Sequence, residues 1–333
     1  MSIILFYPIF IVFLGSIIFL MSNKIGLIDK PNIRKLHSGN IPLIGGITGG
    51  ISILIFSHFL LDNETLNFII FTSFLMLLIG LVDDIFDIHF SYRLFFQSLI
   101  ILVVIDYGII VSNLGNSQYF GTIDLGFFGI LLTFICISGL TNSFNFFDGS
   151  DGICASSVFI SFLNIILFSL ISSTKIEWMF FYLILIYLVV FLYFNVLSKK
   201  YKIFLGDSGS TFFGFLLSLS LIYFTKQDVN YFEPILVLWC VTLPIYDLIS
   251  VIIKRILNSK NPFLPDRTHI HHLLIRKNFS KFQIFFILAF IQLTFTLVGT
   301  LSYLYLGFEF TFLNFIIIFL FYFLIKSSIE NKV

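Results

Sequence analysis

Long apolar runs separated by short polar intervals make up almost the whole chain. A helix crossing ~30 Å of hydrocarbon needs about 20 apolar residues. That rule predicts eleven spanning helices, at 2–22, 43–61, 66–82, 94–111, 126–144, 153–173, 178–198, 211–225, 234–252, 284–306 and 309–325. The expected fold class is all-α, a polytopic integral membrane protein. No polar interval suggests a separate soluble domain, and neither an internal repeat nor a low-complexity tract appears. The first run has no basic residue before it and no small-residue cleavage site after it, which predicts a retained helix rather than a signal peptide. Gly45, Gly46, Gly49 and Gly50 form two overlapping small-xxx-small pairs on the second run, the spacing used in membrane helix packing.

Composition excludes the soluble alternative. The 333 residues are 58 % hydrophobic and only 11 % charged, with a mean hydropathy of +1.04, against about 25 % charged in soluble domains. A net charge of +1 gives no footprint for nucleic acid. Cys136, Cys154 and Cys240 lie far apart with no metal-type spacing and read as small core residues. Basic residues set the orientation. Seventeen of the 19 Lys and Arg fall in one alternating set of segments, and only Lys175 and Lys226 fall in the other. The positive-inside bias therefore predicts an outside N-terminus and a cytoplasmic C-terminus.

The acids and histidines were not used to draw that topology, so they test it. Asp83, Asp84 and Asp87 in "LVDDIFDI", Asp148 and Asp151 in "DGSDG", Asp207 in "GDSGST", and Asp266, Arg267, His269, His271 and His272 in "PDRTHIHH" all fall at cytoplasmic span ends. Each group has a plain alternative. On a continuing helix Asp83 and Asp87 share a face, marking either a solvated helix end or a cation site that relieves their repulsion. "DGSDG" is either a turn or a loop whose glycines let backbone approach a ligand. "GDSGST" is either an N-cap or a place for anionic groups and a divalent cation. The histidines with Arg267 favour phosphate over zinc, because no Cys or H-x3-H partner accompanies them. Asp247, inside the ninth run, is an intramembrane acid and so a functional candidate, outside the main set. Carboxylates for a cation beside Arg and His for phosphate, at bilayer-surface depth, suit a phosphorylated substrate with Mg²⁺ and a lipid co-substrate.

Four ordered motifs, "DDIFD", "NSFNFFDGSDG", "FLGDSGST" and "PDRTHIHH", together with "GLIDKPNIRKLHSGNIPLIGG", resemble the polyprenyl-phosphate N-acetylhexosamine-1-phosphate transferases over nearly the whole chain. The histidine segment is similar to the branch using UDP-N-acetylglucosamine rather than the phospho-muramoyl-pentapeptide branch. The resemblance implies one transmembrane catalytic domain over 1–333, with its site on cytoplasmic loops 23–42, 83–93, 145–152, 199–210 and 253–283. It implies a bacterial inner-membrane enzyme that transfers N-acetylglucosamine 1-phosphate from UDP-GlcNAc to undecaprenyl phosphate and releases UMP, with Mg²⁺ or Mn²⁺ as cofactor, and leaves open another UDP-N-acetylhexosamine as donor and a homodimer. By position it implies Asp207 and Asp84 as metal ligands and Asp83, Asp84, Asp148 and Asp151 as catalytic acids. Asn145, Phe204, Arg267, His269, His271 and His272 are implied as substrate-binding residues, with Phe204 stacking on the base. One displacement or two, through a phospho-aspartyl enzyme, both remain open. A transporter would place its acids near the midplane. A lipid-binding scaffold leaves the acids unexplained, and a prenyl-transfer enzyme is matched only by "DDIFD".

Overall fold

The computed structural model describes residues 2–30, 39–226, 229, 231–259, 261 and 268–331. The described elements run in chain order as α1 (Ser2–Ile25), β1 (Ile28–Asp29), β2 (Ile41–Pro42), α2 (Gly45–Leu60), α3 (Glu64–Phe86) and α4 (Phe90–Asp106). There follow β3 (Asn113–Ser117), β4 (Gly121–Asp124), α5 (Phe128–Phe147), α6 (Ile153–Ile171) and α7 (Trp178–Leu192), which ends in a π-helical turn at Tyr193–Leu197. The last are α8 (Gly206–Thr225), α9 (Ile235–Cys240), α10 (Thr242–Leu257), α11 (Ile270–Arg276) and α12 (Lys281–Asn331). Seven of these are long and apolar enough to cross a membrane, and α2 is a shorter apolar helix. The protein is a predominantly helical, multi-pass membrane protein, relieved by two small antiparallel sheets, β1–β2 and β3–β4.

Two compact units emerge, 1–108 with 177–220, and 109–176 with 221–333. In the first, the glycines of α2 allow close packing on three sides. Added Cβ atoms would meet Phe191 at Gly45, Gly209 at Gly46, Tyr187 at Gly49 and Leu77 at Gly50. Backbone bonds from Gly45 and Gly46 N–H to the carbonyls of Phe204 and Leu205, and from Phe204 N–H to Pro42 carbonyl, fix the segment leading into α8. Buried hydroxyls along α8 bond back to their own helix, as from Ser220 to Leu216 carbonyl and from Ser218 to Phe215 carbonyl, while that of Ser208 has no partner.

The second unit departs from the predicted pattern at two places. The run 234–252 is not one helix but two, broken at Val241 (φ −126°, ψ 27°). Pro244 has no N–H to give the Cys240 carbonyl. That carbonyl instead accepts from Gln292 Nε2 and Ser161 Oγ, each at 2.7 Å, while Leu243 N–H donates to Gln292 Oε1 at 3.1 Å. One glutamine thus closes both sides of a helix break where water is scarce. The interval between α4 and α5 forms the hairpin β3–β4, whose Ser117 hydroxyl and Gln118 N–H donate to Glu309 Oε1. Glu309 stands two residues past Gly307 (φ 79°), where α12 bends.

Gln292→Leu removes both side-chain bonds at the break with little change of size. Stability should fall by roughly 1–3 kcal/mol, seen as a lower midpoint of thermal unfolding in detergent. An unchanged midpoint would refute this account of the break.

Candidate active site

In the first unit, three elements converge on an acid cluster. Helix α3 does not continue to Asp87 as the sequence suggests. It ends at Phe86, and Asp87 turns left-handed (φ 49°) with its N–H on the Asp83 carbonyl at 2.8 Å. Asp83, itself buried, accepts Ile88 N–H at Oδ1 (3.0 Å) and the Arg93 guanidinium at Oδ2 (2.5 Å). Arg93 also reaches Asp207 Oδ2 at 3.6 Å. The cation that relieves these acids is therefore in part a side chain of the protein. Sequence reasoning used Arg93 only as a topology marker. Its signal was a basic residue one turn into the helix that follows a tight reversal.

Asp84 has a separate task. Its Oδ1 and Oδ2 accept Asp207 N–H at 2.8 Å and Ser208 N–H at 3.0 Å, so the cap of α8 comes from α3, 123 positions earlier, rather than from the Ser and Thr of its own motif. A carboxylate at those open amides is favoured by the helix dipole. Gly206 (φ +78°) makes the left-handed approach, and a Cβ there would lie 2.7 Å from Asp84 Oδ2. Gly80 lets α3 come close, since a Cβ on it would lie 2.6 Å from Asp207 carbonyl oxygen. Phe204, half-buried before this turn, lies beneath Lys202 Nζ at 5.8 Å from its ring centre.

In the second unit, apolar residues on both sides of "DGSDG" fasten it to the histidine segment. Phe147 and Ile153 pack in one core with Leu243, Ile270, Leu274, Ile284 and Leu288. Gly149 presses on His271, and a Cβ there would fall 2.0 Å from Nε2. His271 is wholly buried, yet neither ring nitrogen has a hydrogen-bond partner, and the nearby Ser150 hydroxyl is likewise unpartnered. Such groups are costly unless something fills their valence. Burial first, then the neighbouring His272 ring 4.1 Å away, pushes His271 down to about 3. His269 Nδ1 lies 2.7 Å from Asp247 Oδ2. Asn145 is in the last turn of α5, where its carbonyl accepts Asp148 N–H at 3.3 Å. Asp148 follows as the end of that helix, and Asp151 pairs with Lys281 at 3.5 Å. Arg267 and Asp266 lie outside the described residues.

The arrangement brings Asp83, Asp84 and Asp207 together in one unit, and Asp148, Asp151, His269, His271 and His272 into one neighbourhood of the other. Among the described residues no three His, Cys, Asp or Glu form a complete metal cage. The donor set nevertheless suits Mg²⁺, which commonly takes one or two carboxylates together with substrate phosphates. The Asp207 side chain is 45 % exposed, and each Asp84 oxygen, besides the backbone N–H it accepts, has further lone-pair capacity.

Residues 66–225 match the glycosyl transferase family 4 model. The chain is 32 % identical over 301 residues to the undecaprenyl-phosphate alpha-N-acetylglucosaminyl 1-phosphate transferase of Yersinia pestis, covering 87 % of this chain and 82 % of that protein. The protein of the same name in Escherichia coli K12 is 32 % identical over 308 residues, with 90 % and 82 % covered. That of Haemophilus influenzae is 33 % identical over 327 residues, with 94 % and 92 % covered.

Burial keeps His271 neutral, so its folded value lies below the 6.5 of a free histidine. The unfolded chain then takes up the proton first. The stability tied to this residue is complete above about pH 6.5 and declines as pH falls toward 3. At pH 5 the loss amounts to about 2 kcal/mol. Thermal unfolding of wild type and His271→Gln between pH 7 and 5 should show the steeper decline in wild type. Parallel declines would contradict it.

Proposed function

The chain belongs to glycosyl transferase family 4, and on that premise we propose that it transfers N-acetylglucosamine 1-phosphate from UDP-GlcNAc to undecaprenyl phosphate, releasing UMP. One observation carries the reading: at least 82 % of the length of each of three relatives bearing that activity in their names is matched by this chain. The reaction begins a lipid-linked cell-envelope polysaccharide such as O antigen or enterobacterial common antigen. The enzyme acts as a single catalytic domain in the bacterial inner membrane. It has eleven spans, an outside N-terminus, a cytoplasmic C-terminus and its functional loops on the cytoplasmic side. The placement of 17 of 19 basic residues supports that orientation.

In the reaction an oxygen of the lipid phosphate attacks the β-phosphorus of the nucleotide sugar. The new P–O bond forms as the bond to the UMP oxygen breaks, and UMP departs with that electron pair. A phosphate monoester has its second pKa near 6, so at neutral pH the nucleophile is largely dianionic and needs little help from a base. The protein's main tasks are holding and charge compensation. Arg93, whose Nε is buried without a partner, offers a donor to an anionic oxygen while Asp83 fixes its orientation. His269, His271 and His272, with Arg267, hold the diphosphate and sugar. Asn145, Asp148 and Asp151 serve the nucleotide side, and Phe204 stacks on the uracil. A divalent cation, Mg²⁺ before Mn²⁺, would be held by Asp207 and Asp84 and would neutralise charge on the diphosphate.

Purified protein with radiolabelled donor should release UMP only when undecaprenyl phosphate is present, faster with UDP-GlcNAc than with UDP-GalNAc or UDP-MurNAc-pentapeptide, and not with EDTA. Asp207→Asn and Asp148→Asn should each lower turnover at least ~10²-fold with folded protein retained. Full turnover in either variant ends that residue's role, and preference for another donor ends the sugar assignment. Inversion at the transferred phosphorus means one displacement, and retention means two.

A further inference from the structure

Among the described residues, the most deeply buried ion pair of the second unit, Asp247 with Lys326, takes no part in the scheme above. Asp247, 1 % exposed, meets His269 Nδ1 through Oδ2 at 2.7 Å. Its Oδ1 accepts from Ile270 N–H at 2.9 Å, Lys326 Nζ at 2.6 Å and the Tyr322 hydroxyl at 3.2 Å. Lys326, read in the sequence as a flanking charge, is buried too and donates to Ser250 Oγ at 2.7 Å. A buried ion pair gains little stability over apolar packing, and its best-attested use is to fix an arrangement. Lys326 engages only one oxygen of the carboxylate. The other is directed at an imidazole.

A carboxylate can only accept, so the ring nitrogen facing it carries the hydrogen. Nδ1 of His269 is thereby held as the hydrogen-bearing nitrogen against Asp247, and Nε2 stands on the opposite edge of the ring. The Ile270 N–H, bonded to the same carboxylate, fixes the backbone where α11 begins. The Phe146 ring lies against His269 at 5.6 Å between centres with its plane inclined by 29°, and the His271 ring is parallel within 11° at 6.0 Å. His269 is thus held by its hydrogen bond, by its backbone and by stacking on its flanks.

We propose that Asp247, held in turn by Lys326 and Tyr322, is a positioning residue that sets the tautomer and orientation of His269, so that its Nε2 is the edge presented to the phosphorylated donor. The claim rests on the transfer reaction proposed above.

The test uses the full chain in nanodiscs. Nitrogen-15 histidine spectra, with the His269 signal identified by its loss in His269→Asn, should show the Nδ1–H form in wild type. In Asp247→Asn that signal should shift toward the Nε2–H form. Asp247→Asn/Lys326→Met removes both buried charges together and so avoids stranding one. Its kcat per folded molecule should fall roughly 100-fold or more, with the KM for UDP-GlcNAc little changed. His269→Asn, whose amide can keep the Asp247 bond, should remain folded and lose as much turnover, and adding Asp247→Asn to it should cost little more. An Nε2–H form in wild type, or wild-type kcat per folded molecule in the double variant, overturns the proposal. Failure of wild type to release UMP would instead refute the reaction assignment, and the tautomer would then decide the positioning claim by itself.

Discussion

Two hydrogen bonds from the first amides of α8 to the Asp84 carboxylate determine the layout of the first unit. The first N–H groups of a helix have no partner within it and must find one elsewhere. Asp84 satisfies two of them from another helix and so ties the end of α3 to the start of α8. With that distance fixed, Gly80 and Gly46 have to be bare, since backbone of the α8 turn lies where their Cβ atoms would be. Asp83 and Asp207 are then brought to the same guanidinium, that of Arg93. A cluster of acids that would repel in isolation becomes tolerable because a cation and a helix terminus share its charge.

The second unit meets the same constraint with different residues. At Val241 the helical ladder is interrupted, and Gln292 supplies both a donor and an acceptor to close it. Three residues after Pro244, Asp247 gathers a backbone amide, an ammonium, a phenol and an imidazole. The break and the acid cluster therefore belong to one short stretch of chain, "CVTLPIYD". Interrupting the ladder there starts a new helix, and the carboxylate on that helix fastens the histidine segment that follows.

What the sequence made visible were features carried by composition or by short contiguous motifs. Apolar runs mark helices because each span must be apolar over most of its length, and the four polar motifs stand out against that background. What it concealed depends on pairs far apart in the chain. Asp84 and the α8 amides are separated by 123 positions, and Lys326 lies 79 positions beyond Asp247. Hydropathy summed over a window of spanning length passes over a break one residue wide, so 234–252 reads as one run although Pro244 marks the place. Asp87 has helical spacing from Asp83 but leaves the helix, because a left-handed residue is needed to turn the chain toward α4. Arg93 and Lys326 were both legible as charges. Neither could be assigned a partner until the fold placed the acids.

Polar groups left without partners complete the picture. Asp247 and Gln292 show how fully a buried polar side chain of this protein can be paired. Against that standard, the unpartnered nitrogens of His271, the hydroxyl of Ser150 and the Nε of Arg93 stand apart. These, with the Ser208 hydroxyl, lie in or beside motifs that the sequence marks as chemical, whereas the Thr48 and Ser157 hydroxyls, Asn195 Oδ1 and Trp239 Nε1, also unpartnered, do not. The open donors among them, Arg93 Nε–H, the Ser150 hydroxyl and the one N–H of a neutral His271, are what the oxygens of an anionic substrate would meet in the reaction proposed above. Placing Gly149 so close to His271 that no side chain fits between them keeps that ring from being satisfied by its own loop.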